Sequence, residues 1–458
     1  MTPSDAGKTP TPRSRFTRRR TLAAVAVVVG GAIGVAACGG HSGGSDAGKA
    51  AASGSASSSA TAPQTPSPAG TPSATGTTAN TQARQDANAA ENASDAKITI
   101  APHAGSTGAS INKGTKVSVT GGTLTSVTMK AKPTGDRVAG TISADGTRWT
   151  PDGKLARGTQ YVISAVAKDA KGRVAAANST FATLSAADSF IGYFTPEDGS
   201  TVGVGMPVSV NFDKAIAKSD RAAVQKGVTV NSSSGQKVVG HWFSATRLDL
   251  RPQHYWVAGS HVSLTLKLDG VKGAAGIYGV QDKTVGFTVG RSQISTVDTS
   301  TDEMTVSRDG KVIKTIPVSA GAPGHTTYNG QMVISEKDQT TRMNGATVGF
   351  TDDDGKGEYD IPDVPHAMRL SSSGTFIHGN YWGDPSIFGN ANTSHGCVGL
   401  EDAKGGKDPN TPAAWFYNHS LVGDVVVVKN SPDKTIQPSN GLNGWNMSWS
   451  QWLAGSAI

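Results

Sequence analysis

Short runs in which apolar and polar residues alternate occupy most of the chain from residue 97 onward. Clear examples are residues 97–100 (KITI), 116–119 (KVSV), 161–166 (YVISAV), 208–212 (VSVNF) and 262–266 (VSLTL). Gly and Pro separate these runs, and a period of two with such punctuation is typical of β-strands. Runs with the period of a helix are scarce. The pattern therefore predicts a mostly β protein.

The alternating runs fall into two groups of similar length, residues 96–186 and 187–291. Each group has the size and the strand spacing of an immunoglobulin-like β-sandwich. Neither group contains a cluster of residues that could carry catalysis. We therefore predict two immunoglobulin-like domains, which serve either as spacers that position the rest of the chain or as binders of a cell-wall ligand.

A third, β-rich domain is predicted over residues 292–430, where the turn sequence Arg308-Asp309-Gly310 separates two apolar runs. The remaining residues, 431–458, form a short tail. Its tryptophans Trp445, Trp449 and Trp452 have helical spacing, which predicts one indole face. That face either packs against the folded body or stacks on a ligand.

The N-terminus has the layout of a signal peptide, which we assign to residues 1–37. A basic run over residues 13–20 precedes an apolar stretch that ends in Val35-Ala36-Ala37-Cys38. The small residues before Cys38 resemble a bacterial lipobox. This resemblance implies cleavage before Cys38, lipidation of its thiol, and a chain anchored at the outer face of the cell membrane that extends into the cell wall.

Residues 39–95 contain no Val, Ile, Leu, Met, Phe, Tyr or Trp. Such a segment cannot offset the entropy cost of ordering its backbone, so we predict a disordered linker over residues 38–95.

The positive charge of the chain belongs mainly to the targeting segment. The net charge is +7, and the residues before Cys38 hold six basic side chains against Asp5, which leaves about +2 for the rest. The chain is therefore not expected to bind nucleic acid. Its two cysteines, Cys38 and Cys397, lie in segments of opposite character, which excludes a disulfide scaffold.

Two histidines, His378 and His395, bracket Cys397 in the third domain. An imidazole beside a thiol can take its proton and lower its pKa from ~8.5 into the range ~3.5 to 7.5. Gly396 allows main-chain N–H groups to approach a developing oxyanion. From these residues alone, a reactive cysteine and a packed buried cluster both remain open. A zinc site that adds Asp384 is disfavoured because paired ligand spacing is missing.

His378-Gly379, followed after a gap by Ser394-His395-Gly396-Cys397, resembles the motif of the L,D-transpeptidase (YkuD-type) catalytic domain. The resemblance extends over residues 292–430. The order of lipobox, linker, two immunoglobulin-like domains, catalytic domain and Trp-rich tail also resembles multidomain actinobacterial lipoproteins of that family. Papain-like peptidases have the opposite order of cysteine and histidine. Sortases separate the two residues farther and add an arginine.

The resemblance implies a role for each motif residue. Cys397 attacks a tetrapeptide stem of peptidoglycan, releases D-alanine and holds an acyl-enzyme, while His378 acts as the base. The main-chain carbonyl of Gly379 orients that histidine, and His395 shapes the nucleophile loop. The amides of Gly396 and Cys397 form the oxyanion hole.

The resemblance also implies a lid before the site, a substrate surface, and inhibition by carbapenems. Relatives commonly carry Arg or Asn where this chain has Gly399, so recognition of donor or acceptor is expected to differ there. No metal and no cofactor are expected. Transfer to an amine, which forms 3→3 cross-links, hydrolysis as an L,D-carboxypeptidase, and a wall-binding lipoprotein without activity remain alternatives. The expected substrate contacts are Met343, Tyr359, Trp382, Ser394 and Gly399.

Overall fold

Two β-sandwiches, a nine-stranded sheet and a short tail follow one another along residues 77–458, the part of the chain that the computed structural model describes. The mostly β architecture predicted from the alternating pattern is confirmed. The predicted signal peptide, Cys38 and the first part of the linker lie outside the described residues. Among the helices of residues 77–458, none has the length and apolar character needed to cross a membrane.

The described chain begins with helix α1 (Thr77–Asn92). From residue 81 onward its side chains are exposed, so no tertiary packing holds it. Ala, Gln, Arg and Glu favour the helix through local propensity alone. The prediction of disorder up to residue 95 is therefore wrong for this segment, because it weighed burial and neglected helix propensity. The Arg173 guanidinium donates to the Glu91 carbonyl at 2.7 Å and joins the end of α1 to the first sandwich.

The first sandwich, module 1, consists of two four-stranded sheets with the orders β1-β2-β6-β5 and β4-β3-β7-β8. Alternate residues of β7 point into the core, where Tyr161, Ile163 and Ala165 pack with Trp149 and Phe181. The strands are β1 (Lys97–Ala101), β2 (Lys116–Thr120), β3 (Thr123–Lys132), β4 (Arg137–Val138), β5 (Gly140–Ile142), β6 (Arg148–Pro151), β7 (Gln160–Lys168) and β8 (Val174–Ala182).

The second sandwich, module 2, pairs a β10-β12-β15-β14 sheet with a β11-β19-β16-β13 sheet, beside a small β17-β18-β9 sheet. One apolar core fills the space between the sheets. Its elements are β9 (Ser189–Phe190), β10 (Gly192–Thr195), β11 (Thr201–Val202), β12 (Val208–Phe212), α2 (Arg221–Lys226), β13 (Val228–Ser232), β14 (Val238–Trp242), β15 (Arg247–Pro252), β16 (His261–Lys267), β17 (Lys272–Ala274), β18 (Ile277–Gly279) and β19 (Asp282–Val289).

The third domain is built on a nine-stranded sheet with the order β23-β28-β20-β21-β22-β27-β26-β25-β24. Thr411 caps α3, which has Pro412 in its first turn and contacts the inner strands β25, β26 and β27. The elements are β20 (Gln293–Asp298), β21 (Glu303–Arg308), β22 (Lys311–Ser319), β23 (Gly330–Val333), β24 (Glu336–Asn344), β25 (Asp360–Arg369), β26 (Phe376–Asn380), β27 (Val398–Glu401), α3 (Pro412–His419) and β28 (Val425–Lys429).

The tail packs against module 2, as the packed alternative for its tryptophans predicts. The prediction of one continuous helical face is wrong, because Trp445 lies in a 3-10 turn (Gly444–Asn446) and α4 (Trp449–Ala454) begins afresh at the Ser448 cap. All three indoles instead surround the guanidinium of Arg251, whose central carbon lies 4.2 to 5.4 Å from the ring centroids. Arg251, not a ligand, occupies the aromatic cluster.

Module 2 and the third domain share one core. Val333 and Trp445 belong to the same buried cluster as the sandwich residues. The amide of Gly203 donates to the Val422 carbonyl at 2.8 Å, and a Cβ at Gly203 would lie 2.2 Å from the Asp424 amide nitrogen. Only glycine permits this approach, which holds module 2 directly against the loop before β28.

Candidate active site

Two adjacent parallel strands position His378 and Cys397. His378 occupies the middle of β26 and pairs with Gly399 of β27, while Cys397 immediately precedes β27. A parallel pair needs a crossover, here residues 381–397, which we call the nucleophile loop. It contains a 3-10 turn (Pro385–Ile387), in which the Ser386 amide donates to the Asp384 carboxylate at 2.9 Å. Asp384 thus caps a turn. It does not join His378, His395 and Cys397 in a zinc site.

Cys397 is 9% exposed and receives only weak polar contacts. The Phe376 amide donates to Sγ at 3.4 Å, and Sγ donates to the Gly374 carbonyl at 3.6 Å. Burial raises the pKa of the Cys397 thiol to about 11, because the thiolate would lose its hydration. The expectation of a lowered thiol pKa is wrong for this resting form, in which burial outweighs every contact that favours the thiolate.

His378 is 5% exposed, and burial lowers the pKa of its imidazole, which is therefore neutral near pH 7. Its Nδ1 donates to the Gly379 carbonyl at 2.9 Å, as the family resemblance implies. This bond leaves Nε2 as the proton acceptor. The Trp382 indole stacks on the imidazole with centroids 5.7 Å apart and an interplanar angle of 18°.

A buried polar network around Asp402, which was not predicted from the sequence, packs directly against Gly379. A Cβ at Gly379 would lie 2.0 Å from Oδ2 of Asp402. That carboxylate pairs with His366 Nδ1 at 2.7 Å and accepts from the Thr411 hydroxyl at 2.8 Å. Its negative charge favours the protonated form of His378. The only sequence signal was a carboxylate shortly after the cysteine.

One pocket opens onto His378 and Cys397, and a β-hairpin forms its outer wall. Strands β24 and β25 pair antiparallel, and their connection, residues 345–359, forms the lid. The predicted contacts Met343, Tyr359 and Trp382 all line this pocket, with Trp382 44% exposed. The complete lining is Met343, Tyr359, Ile361, His378, Asn380, Trp382, Thr393, Ser394, His395, Cys397 and Gly399.

The end of the nucleophile loop is braced by Ser394. Its hydroxyl donates to the Cys397 carbonyl at 2.6 Å and accepts from the Gly396 amide at 3.2 Å. Gly396 has φ +105°, a conformation that favours glycine. The predicted use of the Gly396 amide in an oxyanion hole is not realised in this resting form, because that amide donates to Ser394. The Cys397 amide remains the candidate donor.

The His395 side chain contacts the lid. Its Nε2 lies 3.2 Å from the Glu358 carboxylate, and its ring packs 4.9 Å from that of Tyr359. The predicted loop-shaping role of His395 is thus a contact between the nucleophile loop and the lid. Sequence analysis did not single out Glu358.

Gly399 borders open space in the pocket. An added Cβ would make ordinary contacts, at 3.4 Å from the Ser319 carbonyl and 3.5 Å from the Asn380 side chain. Asn380 was not predicted as a site residue, yet its amide group lines the pocket and its Oδ1 accepts from the Gly383 amide at 2.8 Å. It places a carboxamide beside Gly399.

Comparisons with known proteins agree with this geometry. Residues 292–428 match the L,D-transpeptidase catalytic domain, and residues 106–272 match a bacterial Ig domain. L,D-transpeptidase 2 of Mycobacterium tuberculosis (strain CDC 1551 / Oshkosh) is 33% identical over 361 residues, which cover 79% of this chain and 85% of that protein. L,D-transpeptidase 5 of M. tuberculosis (strain ATCC 25618 / H37Rv) is 29% identical, over 71% of this chain and 69% of that protein.

A solved structure of the LD transpeptidase LdtMt1 in complex with imipenem has 30% identity and a TM-score of 0.43, and covers 52% of this chain and 97% of that chain. The similarity to L,D-transpeptidase 2 runs through the immunoglobulin-like modules as well as the catalytic domain. The chain belongs to the L,D-transpeptidase family and is an enzyme of that type.

Proposed function

We propose that Cys397 is the nucleophile and His378 the general base of a transpeptidation on peptidoglycan stem peptides. The observation that carries this proposal is that one pocket is lined by both side chains, with Nδ1 of His378 tied to the Gly379 carbonyl. A histidine held in this tautomer presents Nε2 to accept a proton.

The reaction begins from a neutral pair. As Sγ attacks the carbonyl carbon of the donor stem, the thiol proton moves to Nε2 of His378. The tetrahedral intermediate collapses to a thioester, and the amine of the leaving D-alanine takes the proton from His378. Raised thiol and lowered imidazole pKa values fit this order, because neither charge is held before substrate fills the pocket.

The second half-reaction uses the same groups in reverse. An acceptor amine loses a proton to His378 and attacks the thioester, which forms a new amide and restores the thiol. When the amine belongs to another stem, the product is a 3→3 cross-link, and when water replaces it the product is a shortened stem. The space beside Gly399 and Asn380 is our candidate for acceptor discrimination. A carbapenem would acylate Cys397 at the same position as the donor.

Incubation of the purified protein with a disaccharide tetrapeptide tests the proposal. Mass analysis should show free D-alanine and a dimer whose mass equals two donors less one alanine. A monomer that lacks alanine, without dimer, would favour the carboxypeptidase alternative. Absence of both products, in protein that is folded, would favour a wall-binding role without catalysis.

We further propose that the chain is lipidated at Cys38 and held at the outer face of the membrane, where the substrate lies. The support is the basic run, the apolar stretch and the small residues before Cys38. Cys38→Ser should leave the precursor unprocessed and unlabelled by a fatty-acid probe while the catalytic domain folds normally. Persistent label on the variant would refute lipidation at this residue.

The two sandwiches are proposed to act as spacers. Module 2 shares its core with the catalytic domain, so it also positions that domain directly. Removal of module 1 should therefore leave D-alanine release by the remaining chain within about two-fold, because its own core is separate.

A further inference from the structure

Three side chains that can bind a metal converge beside the pocket from three separate segments. His325 lies in the loop between β22 and β23, Glu358 in the lid, and His395 in the nucleophile loop. The Glu358 Oε2 atom lies 3.2 Å from Nε2 of His395 and 3.8 Å from Nε2 of His325. One donor atom of each residue lies within 4.8 Å of those of the other two.

The arrangement does not suit an ordinary ion pair. Two imidazole rings, whose centroids lie 4.7 Å apart, both approach one carboxylate oxygen. His325 and Glu358 side chains are 34% and 30% exposed, a setting in which such pairs add little stability. In addition, Nδ1 of His325 is buried without a hydrogen-bond partner among the described residues. One carboxylate thus serves two imidazoles, and the cluster keeps an unpartnered imidazole nitrogen among the described residues.

Aromatic rings hold the two imidazoles in their convergent orientation. Phe350 packs against His325 at 5.4 Å and against His395 at 5.9 Å, and Tyr359 covers the other side of His395. This aromatic wall limits rotation of the rings, which lowers the entropy lost when a metal orders them.

We propose that His325, Glu358 and His395 bind one Zn²⁺ ion that fastens the lid to the nucleophile loop. Two imidazole nitrogens and one carboxylate oxygen are a donor set that zinc accepts, with bonds of about 2.0–2.2 Å. Donors of a tetrahedral site lie about 3.4 Å apart, so the most distant pair here must close by about 1.4 Å. The fourth position stays open to water or to a carboxylate of a bound molecule.

The position of the ion gives it a consequence for access. Glu358 precedes Tyr359, a wall of the pocket, and His395 stands two residues before Cys397. A metal that links Glu358 to His395 would hold the C-terminal end of the lid against the nucleophile loop, beside the pocket that contains the thiol. Bound zinc therefore inhibits the enzyme, because it slows entry of a stem peptide into the pocket without contacting the nucleophile.

Zinc binding is measured on the full chain with both cysteines replaced, Cys38→Ser and Cys397→Ala, so that no thiol can bind the ion. Equilibrium dialysis against Zn²⁺ should give one ion per chain. Glu358→Gln, His325→Ala and His395→Ala should each weaken binding by about 100-fold or more, since each removes one ligand. His103→Ala and Glu303→Gln are matched controls on exposed residues and should leave binding unchanged.

Two further measurements sharpen the assignment. Co²⁺ in the protein with Cys397 intact should show the visible bands of a tetrahedral nitrogen and oxygen site, without a thiolate-to-cobalt charge-transfer band. Zn²⁺ should slow D-alanine release by the wild-type enzyme and should lose most of this effect in Glu358→Gln.

The proposal is overturned if dialysis finds no saturable site, if Glu358→Gln and His325→Ala bind zinc as tightly as the parent, or if a charge-transfer band shows that Cys397 is a ligand. Because binding is measured in a chain that cannot catalyse, these outcomes are independent of the transpeptidase proposal.

Discussion

Burial serves opposite purposes in the catalytic pocket and at the tail junction around Arg251. Arg251 is 2% exposed, yet its guanidinium donates to the Pro252 and Gly444 carbonyls at 3.0 and 3.2 Å and lies against three indoles. Burial lowers its pKa only to about 10, so it stays charged near pH 7. Cys397 is almost as buried but has only two long sulfur contacts.

The contrast separates stability from reactivity. A buried group whose donors are largely satisfied stabilises the fold, and its removal leaves a cavity and unpaired carbonyls. A buried thiol with weak partners contributes little to stability, yet it can exchange those partners for a substrate. Substitutions in the two regions should therefore affect different observables.

Loss of the nucleophile should give the largest effect. Cys397→Ala should reduce acyl-enzyme formation and D-alanine release by at least about 10³-fold, and His378→Ala should be nearly as severe, because the groups of such a unit do not act additively. Mass spectrometry of the carbapenem adduct and thermal unfolding are measured on the same samples. An unmoved melting temperature supports catalysis, whereas well-folded Cys397→Ala that still releases D-alanine would refute the assignment.

Trp452→Ala tests the tail junction around Arg251. Its indole is fully buried, donates to the Val239 carbonyl at 2.9 Å and covers Arg251. We expect a loss of about 3–5 kcal/mol in the free energy of unfolding, because the substitution leaves a cavity and uncovers the Arg251 guanidinium. Denaturant titration measures this loss. The acylation rate per folded molecule should stay within about two-fold, and a large drop would show that the tail also shapes the pocket.

The pH dependence of thiol alkylation sharpens the contrast further. In a Cys38→Ser chain, Cys397 is the single cysteine, and burial raises the pKa of its thiol to about 11. Only the thiolate reacts, so the iodoacetamide rate should rise about tenfold per pH unit from pH 7 to 10. An exposed thiol with a pKa of about 8.5 would level off near pH 9. A plateau there would mean that Cys397 is not desolvated in solution.

The smallest effect is expected at Gly399, where the pocket has unused space. Gly399→Asn should change transfer to an amine acceptor several-fold while it changes carbapenem acylation by less than about two-fold, because its Cβ fits at ordinary contact distance. Stopped-flow acylation and product ratios separate the two steps. Gly399→Ala is the matched control for backbone effects, and equal changes in both steps would assign the position a purely structural role.

Sequence predicted the strands and pointed to His378 and Cys397 as neighbours because both depend on local signals. Alternation in β7 and β16 follows the burial of each residue, and the spacing of His378 and Cys397 reflects a crossover between neighbouring strands. These features need no knowledge of distant contacts.

The missed features all depend on distant contacts. Asp402 supports Gly379 only because β26 and β27 are neighbours, and His325 meets Glu358 only when the loop between β22 and β23 packs against the lid. The thiol pKa was mispredicted because burial depends on the whole domain. Likewise, Arg251 had no sequence signal that linked it to the tail tryptophans.

Helix α1 has a mechanical consequence for residues 77–92 themselves. As a helix, its residues span about 24 Å, and as a flexible coil they would span about 22 Å on average. The two lengths are nearly equal, so the helix changes the distribution of end-to-end distances more than their mean. Because Arg173 binds the Glu91 carbonyl and the Asp95 carboxylate, its axis starts from a fixed point on module 1. Residues 77–92 therefore form a rod whose direction is set where the helix meets Arg173.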